Sequence, residues 1–251
     1  MSAGAVLQVQ GLTLGMVGRT LVRSLDFEAR PGERWCIVGR NAAGKSTLLR
    51  ALAGLGVPGQ LGRIALGGDA QVLADPARAA SLRAWLAQSA SDRFELTVAE
   101  MLALHAPGDV LRPAAEPRWR AQLDQVTQAL DIAPLLARPV TRLSGGERQR
   151  VGLAAIAAQE VPLWLLDEPV SFQDPAHQQG VSRWLAAQPE RTIVMSAHDI
   201  AWVQRTATHL IALQADGTWA AGQIDHVMTH AVLERTFCCG WRQAGGVWLA
   251  D

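Results

Sequence analysis

The sequence predicts an α/β fold with a mostly parallel sheet into which a block of helices is inserted. Short apolar runs alternate with helix-forming stretches, which is the pattern of strands joined by crossover helices. Between about 78 and 155 the chain is instead rich in alanine, leucine, arginine and glutamine, which favours helices. A chain of 251 residues is long enough to bury one large core that carries such an insertion.

The first part of the chain predicts strands and turns. The strand candidates are residues 6–9, 21–29 and 35–38. A Pro-Gly turn at 30–33 precedes the last of them, and a helix is predicted from 46 to 55, where glycines end it. The many glycines of residues 56–75 indicate hairpins.

Strand signals return after the helical block. The predicted strands are residues 163–166, 192–196 and 210–213. Helical segments are predicted between them, at about 175–187 and 199–207. The tail from 239 to 250 predicts a brief pair of strands.

The composition limits the classes of function. Lysine plus arginine and aspartate plus glutamate both number 23, whereas proteins that bind nucleic acid usually carry an excess of basic residues, so we expect no nucleic-acid partner. Three cysteines, of which Cys238 and Cys239 are adjacent, fit a reducing compartment rather than a disulfide framework. Neither a signal peptide nor an apolar span is evident, so a cytosolic protein is predicted.

A phosphate-binding loop is predicted between the strand 35–38 and the helix 46–55. Residues 39–46 match G-x-x-x-x-G-K-[ST], in which backbone N–H groups face phosphate oxygens. Lys45 would neutralise the β- and γ-phosphates and the Ser46 hydroxyl would ligate Mg²⁺. The predicted nucleotide-binding residues of the loop are Gly39, Arg40, Asn41, Ala42, Ala43, Gly44, Lys45, Ser46 and Thr47.

Two adjacent carboxylates end the apolar run at 163–166. A buried strand that ends in an acid places that acid beside the phosphate loop, so Asp167 is predicted to hold the Mg²⁺ shell. Glu168 would then orient or deprotonate the attacking water. The pair therefore predicts nucleotide hydrolysis rather than binding alone.

A second anion-binding helix start is predicted within Leu-Ser-Gly-Gly-Glu-Arg-Gln-Arg, residues 143–150. Ser144 is a fitting N-cap, and Glu147 three residues later completes a capping-box pattern. Gly145 and Gly146 leave the first N–H groups open to a phosphate. Taken alone, the same residues would also suit an ordinary capped helix.

With this motif the chain resembles the nucleotide-binding subunits of ABC transporters over essentially its whole length. The resemblance implies a P-loop NTPase (RecA-like) core with an N-terminal antiparallel β subdomain and an inserted helical subdomain. It implies a single ABC ATPase domain, with the helical subdomain at about 89–152 and the core at about 1–88 and 153–251. The implied ligands are ATP and Mg²⁺.

The resemblance also adds site residues. Gln88 matches the glutamine that contacts Mg²⁺ and water and senses the membrane partner, and His198 matches the switch histidine at the γ-phosphate. Residues 171–174 stand where the family has its dimer-contact loop, with Asp174 retained. The family completes each site with the Ser-Gly-Gly segment of a second subunit, which implies an ATP-bound homodimer. The implied catalytic residues are Glu168, His198 and Gln88, and the implied Mg²⁺ ligands are Ser46, Gln88 and Asp167.

Some positions depart from the family pattern. Arg40 replaces a proline and should be harmless, while Ala42 replaces a glycine and would cost about 1 kcal/mol if its φ is positive. No aromatic residue occurs at 14–18, where the family stacks a ring on adenine. We therefore expect aliphatic contact from Met16 or Val17 and weak base selectivity.

A single cassette without a membrane span implies separate membrane permease subunits, and a periplasmic or surface binding protein indirectly. The stretch Ser89–His105 is the best candidate for the docking surface. The short tail resembles the group that imports cobalamin, haem and iron-siderophores, which would place the chain in the cytoplasm, on the inner face of the cell membrane. The alternatives are the ATPase of an exporter and a soluble ABC ATPase without a role in transport.

Overall fold

A computed structural model of the chain describes residues 4, 6–16, 18–88, 95–106 and 117–251. The strands are β1 (Leu7–Met16), β2 (Arg19–Ala29), β3 (Arg34–Val38), β4 (Leu61–Leu66), β5 (Arg83–Leu86), β6 (Leu163–Leu166), β7 (Thr192–Ser196), β8 (His209–Leu213), β9 (Trp219–Gln223), β10 (Trp241–Ala244) and β11 (Val247–Ala250). The α-helices are α1 (Lys45–Leu52), α2 (Pro76–Ala80), α3 (Val98–Leu104), α4 (Pro117–Ala129), α5 (Gly145–Ala158), α6 (Pro175–Ala186), α7 (Ile200–Thr206), α8 (Ile224–Val227) and α9 (His230–Phe237).

A six-stranded sheet forms the centre of the fold. Its order is β5-β6-β7-β3-β8-β9, and every neighbouring pair is parallel except β8 and β9. Cys36 of β3 pairs with Met195 of β7 on one side and with Leu210 of β8 on the other. The predicted α/β class with a mostly parallel sheet is therefore confirmed.

Apolar side chains cover both faces of this sheet. In β6, Leu163 and Leu165 pack with the side chains of α1 and the N-terminal strands, whereas Trp164 and Leu166 pack with those of α5, α6 and α7. A parallel strand that is covered on both faces buries every side chain. For this reason the strand reads as an uninterrupted apolar run rather than as an alternating one.

The N-terminal strands form a separate antiparallel sheet of order β2-β1-β4. Hairpins were expected for residues 56–75, but the strand of this segment, β4, does not pair with a neighbour in sequence. It pairs with β1 instead. Val9 of β1 lies opposite Ile64 of β4, and both side chains are buried. Burial of apolar residues from distant segments thus decides the pairing.

Two strands of the central sheet were not predicted. β5 lies inside the stretch predicted to be helical, and β9 lies in a stretch without a prediction. Both are edge strands, since each pairs with only one neighbour of the sheet. β5 has only four residues and β9 contains two alanines and a glycine, so neither carries the β-branched pattern by which strands are recognised.

Among the helices between β5 and β6, α5 packs against the edge strand β5, whereas α3 and α4 pack against α5. α5 approaches β5 closely at Gly152, where an added Cβ would lie 2.6 Å from Leu86 Cδ1. α3 begins with a complete capping box between Thr97 and Glu100. Among the helices of the described residues, none is both long and apolar enough to cross a membrane.

The predicted strand pair of the tail is confirmed as the hairpin β10–β11, in which Trp241 lies opposite Ala250. Gln204 of α7 donates from Nε2 to the Gly246 carbonyl in its turn at 2.8 Å. The rings of Phe237 and Trp241 pack at a centroid distance of 5.3 Å. The tail is therefore held against the core through α7 and α9.

Candidate nucleotide-binding site

The site lies at one edge of the central sheet, where three neighbouring parallel strands end. β3 leads into the phosphate loop, β6 into Asp167 and Glu168, and β7 into His198. Because parallel strands run in the same direction, their carboxyl ends lie at the same edge of the sheet. Residues that are more than a hundred positions apart in sequence therefore face one cavity.

The phosphate loop needs glycine at its narrow points. Gly44 adopts φ = 104°, and an added Cβ would lie 3.0 Å from Leu21 Cβ. An added Cβ on Gly39 would lie 2.9 Å from the Leu213 carbonyl oxygen. Ala42 also adopts a left-handed conformation, with φ = 60°, so the strain foreseen for this substitution is present and costs about 1 kcal/mol.

Lys45 is folded back onto the loop. Its Nζ donates to the carbonyl oxygens of Gly39 at 2.9 Å and Arg40 at 3.2 Å, and the residue is buried. Burial lowers the pKa of Lys45, while the negative charges of Glu168 and Asp167 oppose that shift. These two carboxylates thus provide the countercharge for an ammonium group that has lost much of its water.

Asp167 and Glu168 are held by the same hydroxyl group. Ser196 Oγ donates to Asp167 Oδ1 at 2.6 Å and accepts from the Glu168 backbone N–H at 3.0 Å. Asp167 is almost fully buried, so this hydrogen bond satisfies a carboxylate oxygen that has little access to water. Ser196 therefore fixes the direction in which both acids leave the strand.

The Glu168 carboxylate is surrounded by donors. Ser171 Oγ and Gln88 Nε2 donate to its Oε2 at 2.7 and 2.9 Å, and His198 Nε2 lies 2.5 Å from its Oε1. Burial raises the pKa of Glu168, but the hydrogen bond from Ser171, the charge and hydrogen bond of His198 and the charge of Lys45 outweigh it. The pKa consequently lies below its ordinary value, and the carboxylate is ionised at neutral pH.

A cavity of about 450 Å³ opens at this edge of the sheet. Its polar lining comprises Asn41, Lys45, Ser46, Thr47, Gln88, Glu168 and His198. Its apolar lining includes Met16 and Leu21, and Met16 is 56% exposed. Met16 thus stands at the predicted base end of the cavity, while Val17, the other candidate, lies outside the described residues.

The Ser-Gly-Gly segment lies outside the described lining of this cavity. Ser144 caps α5: its Oγ accepts from Glu147 N at 3.3 Å, and Glu147 Oε2 accepts from Ser144 N at 2.7 Å, which confirms the predicted capping box. Ser144 and Gly145 are exposed. Neither they nor Gly146 contribute to the described lining of the cavity, so the structure does not bring this segment to its own phosphate loop.

Some residues that hold Asp167 and Glu168 in place were not predicted from the sequence. Ser196 carried no prediction, although a hydroxyl at the end of a fully buried apolar strand was a usable signal. Gln149 was included only as one residue of the motif 143–150 and had no predicted role. Its Nε2 donates to the Glu168 carbonyl at 2.9 Å and thereby connects α5 to the end of β6. Asp174, which the resemblance assigns to a dimer-contact loop, accepts from His177 N at 3.0 Å and caps α6 of its own chain.

The residues present suit a small hard cation. A hydroxyl at Ser46, a carboxylate at Asp167 and an amide at Gln88 offer oxygen atoms, which Mg²⁺ prefers. Ser196 donates to Asp167 Oδ1, and Gln88 directs its amide nitrogen toward Glu168, so Asp167 Oδ2 and Gln88 Oε1 are the oxygens that a cation could use. No group of three or more His, Cys, Asp or Glu side chains suited to a metal occurs in the described ranges, so a cation here would share its ligands with phosphate and water.

Comparisons with known proteins identify the family of the chain. Residues 22–171 match the family described as ABC transporter. A cobalamin import ATP-binding protein, BtuD, from Halobacterium salinarum is 36% identical over 235 residues, covering 92% of this chain and 58% of that protein. The chain therefore spans little more than half the length of that relative.

Two other relatives are matched over most of their length. A vitamin B12 import ATP-binding protein, BtuD, from Vibrio cholerae is 34% identical over 222 residues, covering 85% of this chain and 87% of that protein. The ferric enterobactin transport ATP-binding protein FepC of Escherichia coli is 33% identical over 240 residues, covering 93% and 87%.

The fold agrees with that of solved structures. A metal-chelate type ABC transporter in an inward-facing conformation superposes with a TM-score of 0.77 at 24% identity, covering 99% of this chain and 96% of that one. The P-loop NTPase fold is thereby confirmed. The family match over more than half of the sequence, together with these relatives, shows that the chain belongs to the ABC transporter family.

Proposed function

We propose that the chain is the ATP-hydrolysing subunit of an ABC importer that works with separate membrane permease subunits. The observation that carries the proposal is the single cavity that gathers Lys45, Ser46, Gln88, Glu168 and His198. A cation, a hydroxyl and an ionised carboxylate around one cavity are the groups that phosphoryl transfer to water requires. A loop with a purely structural role would not require a cation, a hydroxyl and a carboxylate around one cavity.

Binding of ATP would require two changes in the side chains. Lys45 Nζ exchanges the Gly39 and Arg40 carbonyl oxygens for phosphate oxygens. Mg²⁺, held by Ser46, Asp167 and Gln88, would supply positive charge for the phosphate oxygens. The first change replaces contacts that Lys45 already makes with its own loop, and the second uses oxygen atoms that already stand at this edge of the sheet, so the site is nearly preorganised.

Glu168 would orient the attacking water and accept its proton. Three donors now contact its carboxylate: Gln88 and Ser171 contact Oε2, and His198 contacts Oε1. We propose that His198 turns to the γ-phosphate and thereby frees Oε1. Its exposed position at the rim of the cavity allows that movement.

The site would be completed by a second copy of the chain. Ser144 and Gly145 present a capped helix start to solvent, and the 14 residues of α5 give this start the positive end of a helix dipole. A γ-phosphate that contacts the loop of one copy and this helix start of another would join the two copies, and hydrolysis would release them. This proposal explains why the segment is formed but lies away from its own loop.

The membrane subunits would dock at an apolar groove between β5, α3 and α5. The groove measures about 470 Å³, and its lining includes Leu86, Leu96, Met101, Leu104 and Ile156. The second half of the predicted docking stretch Ser89–His105 thus lines it, whereas residues 89–94 lie outside the described residues. Gln88 lines both this groove and the nucleotide cavity, which provides a direct route between permease and site.

The cargo would be a metal-chelate type solute such as cobalamin, haem or an iron-siderophore, supplied by a periplasmic or surface binding protein. The names of the relatives from Vibrio cholerae and Escherichia coli support this class. The chain would then lie in the cytoplasm, on the inner face of the cell membrane. Uptake of each solute by proteoliposomes containing the co-purified membrane subunits tests the class, and failure to co-purify any membrane protein would favour a soluble ATPase.

The chemical part is tested with two substitutions. Glu168→Gln should retain ATP binding, nearly abolish turnover and accumulate an ATP-bound dimer, whereas Lys45→Ala should weaken ATP binding itself. Phosphate release and equilibrium ATP binding distinguish the two. Wild-type turnover in Glu168→Gln would show that another group accepts the proton.

A further inference from the structure

Two adjacent thiols, those of Cys238 and Cys239, lie exposed directly after α9. The remaining cysteine of the sequence, Cys36, is buried in β3, and burial raises the pKa of its thiol. Because a thiol reacts as its thiolate and must be reached from solvent, Cys36 is inert. Neither Cys238 nor Cys239 belongs to the described lining of the nucleotide cavity, so the proposed ATP hydrolysis leaves both thiols without a role.

The backbone at Cys238 is strained. Cys238 ends α9 with φ = 58°, a left-handed conformation for which a helix end usually has glycine. Its Sγ lies 3.9 Å from the Arg235 carbonyl oxygen, which is a weak contact and leaves the thiol free to turn toward the next residue. Residues other than glycine in this conformation concentrate at functional sites.

The two cysteines lie between two fixed parts of the chain. On one side, Cys238 N donates to the Glu234 carbonyl at 2.7 Å and closes α9. On the other side, Asp251 N donates to the Gly240 carbonyl at 3.0 Å and closes the β10–β11 hairpin. A covalent bond formed between the cysteines therefore displaces α9, the hairpin or both, because neither end of this segment is free.

The end of α9 reaches the phosphate loop. Phe237, the residue before the two thiols, lines a cavity of about 510 Å³ together with Asn41 and His198. Asn41 and His198 also line the nucleotide cavity. A shift of the Phe237 ring is thus transmitted to the histidine that contacts Glu168.

An accessible thiol with a second thiol beside it is the arrangement that suits reversible oxidation. We infer that Cys238 and Cys239 form a redox site that hydroperoxides convert into an internal disulfide, and that this disulfide slows ATP turnover through Phe237. The effect on turnover rests on the proposed function, whereas the oxidation itself does not.

The oxidation has two steps. In the first, the thiolate of one cysteine attacks a peroxide oxygen, so an S–O bond forms and the O–O bond breaks. The departing oxygen takes the proton of that thiol and leaves as water or as an alcohol. In the second, the other thiol attacks the sulfenic sulfur, so the S–S bond forms, the S–O bond breaks and a water molecule leaves with the second proton. The two sulfur atoms together lose two electrons, and the peroxide gains them.

The disulfide should be easy to reduce. Consecutive Cα atoms are about 3.8 Å apart, whereas Cα atoms joined through a disulfide are usually about 4.4–6.8 Å apart. A disulfide between neighbours in sequence is therefore strained, and strained disulfides have higher reduction potentials than structural ones. Cellular thiols would restore the reduced pair, so the site would act as a switch rather than as a permanent cross-link.

Thiol counting and mass spectrometry test the chemistry. After treatment of the folded chain with hydrogen peroxide, the peptide that holds both cysteines should lose two hydrogen atoms, resist alkylation and recover both thiols with a dithiol reductant. Cys36 is the internal control, because it should stay reduced and react with alkylating agents only after unfolding. In Cys238→Ser and Cys239→Ser the second step is impossible, so a dione reagent should trap a sulfenic acid that the native chain does not accumulate.

Two results would refute the internal disulfide. One is a disulfide that joins two chains on a non-reducing gel. The other is a native chain whose sulfenic acid is trapped as readily as that of the two serine variants, because the neighbouring thiol would then not resolve it.

ATP turnover tests the link to the site. Oxidation should lower kcat of the native chain by about 2–30-fold, and a dithiol should restore it. The double variant Cys238→Ser, Cys239→Ser should keep its kcat after the same treatment, which also controls for oxidation of methionine. An unchanged kcat in the fully oxidised native chain would refute the coupling through Phe237. A reduced chain that hydrolyses no ATP would overturn the proposed function and the effect on turnover with it, while the oxidation would still be decided by its mass readout.

Discussion

Replacement of Ala42 by glycine should stabilise the nucleotide-free chain. Ala42 has φ = 60°, and the loop around it is fixed, since Ala43 N donates to the Arg40 carbonyl at 3.1 Å and Lys45 holds the preceding carbonyls. In this conformation a Cβ is crowded by the following carbonyl oxygen. Glycine has no Cβ and adopts the same backbone without strain.

The magnitude follows from two opposing terms. A left-handed conformation costs a non-glycine residue about 1–2 kcal/mol, whereas the freedom of glycine in the unfolded chain costs about 0.5–1 kcal/mol relative to alanine. Ala42 is exposed, so the lost methyl group removes little buried surface. The midpoints of the two ranges leave a net stabilisation of about 0.75 kcal/mol, which corresponds to a rise in Tm of about 1.5–3 °C for a chain of this size.

Differential scanning calorimetry without nucleotide measures the effect. Ala43→Gly is the matched control, because Ala43 is 4% exposed and is not among the residues with positive φ. It should lose about 1 kcal/mol through backbone freedom and the buried methyl group, so the two neighbouring substitutions should shift Tm in opposite directions. Equal decreases in Tm for both variants would refute the strain at Ala42.

Further measurements test the acids and the base end of the site. Ser196→Ala removes the hydroxyl that holds Asp167 and Glu168, so kcat for ATP should fall about 10–100-fold with a smaller change in KM; a changed KM at constant kcat would contradict this positioning role. Because the pKa of Glu168 is lowered from 4.5, its ionised form stabilises the fold above that pH and the effect is lost as the pH falls. The Tm difference between the native chain and Glu168→Gln should therefore shrink below about pH 4.5, and a difference that grows on acidification would refute the assignment. Met16→Ala should weaken ATP and GTP binding by the same factor, since a thioether reads no base edge, and a strong ATP preference in the native chain would contradict weak base selectivity.

Much of the fold was predictable because the signals were local. The apolar runs of β3, β6 and β7, the glycines at 39 and 44 and the cap at Ser144 each express a physical requirement within a few residues of sequence. The two missed strands, β5 and β9, gain their stability from a single neighbour in the sheet. Their own residues carry too little strand preference to indicate it.

The candidate site shows the same division. Phosphate loop, paired acids and Ser-Gly-Gly segment were recognisable as short motifs, and their roles in binding and hydrolysis remain predictions. Contacts of Glu168 with Gln88, Ser171 and His198 were not predictable, because they join the ends of different strands. A motif specifies which groups are present, whereas their mutual distances depend on strand order.

The sequence by itself determined the family and the α/β class, and it predicted which residues contact phosphate, since these depend on residue type and short spacing. Only the tertiary structure decided that Ala42 is strained, that Ser196 positions both acids and that Ser144 and Gly145 are exposed. The physical reason is that backbone strain and hydrogen bonds between distant segments arise from packing of the whole sheet. Packing of that kind is not encoded in any single stretch of the chain.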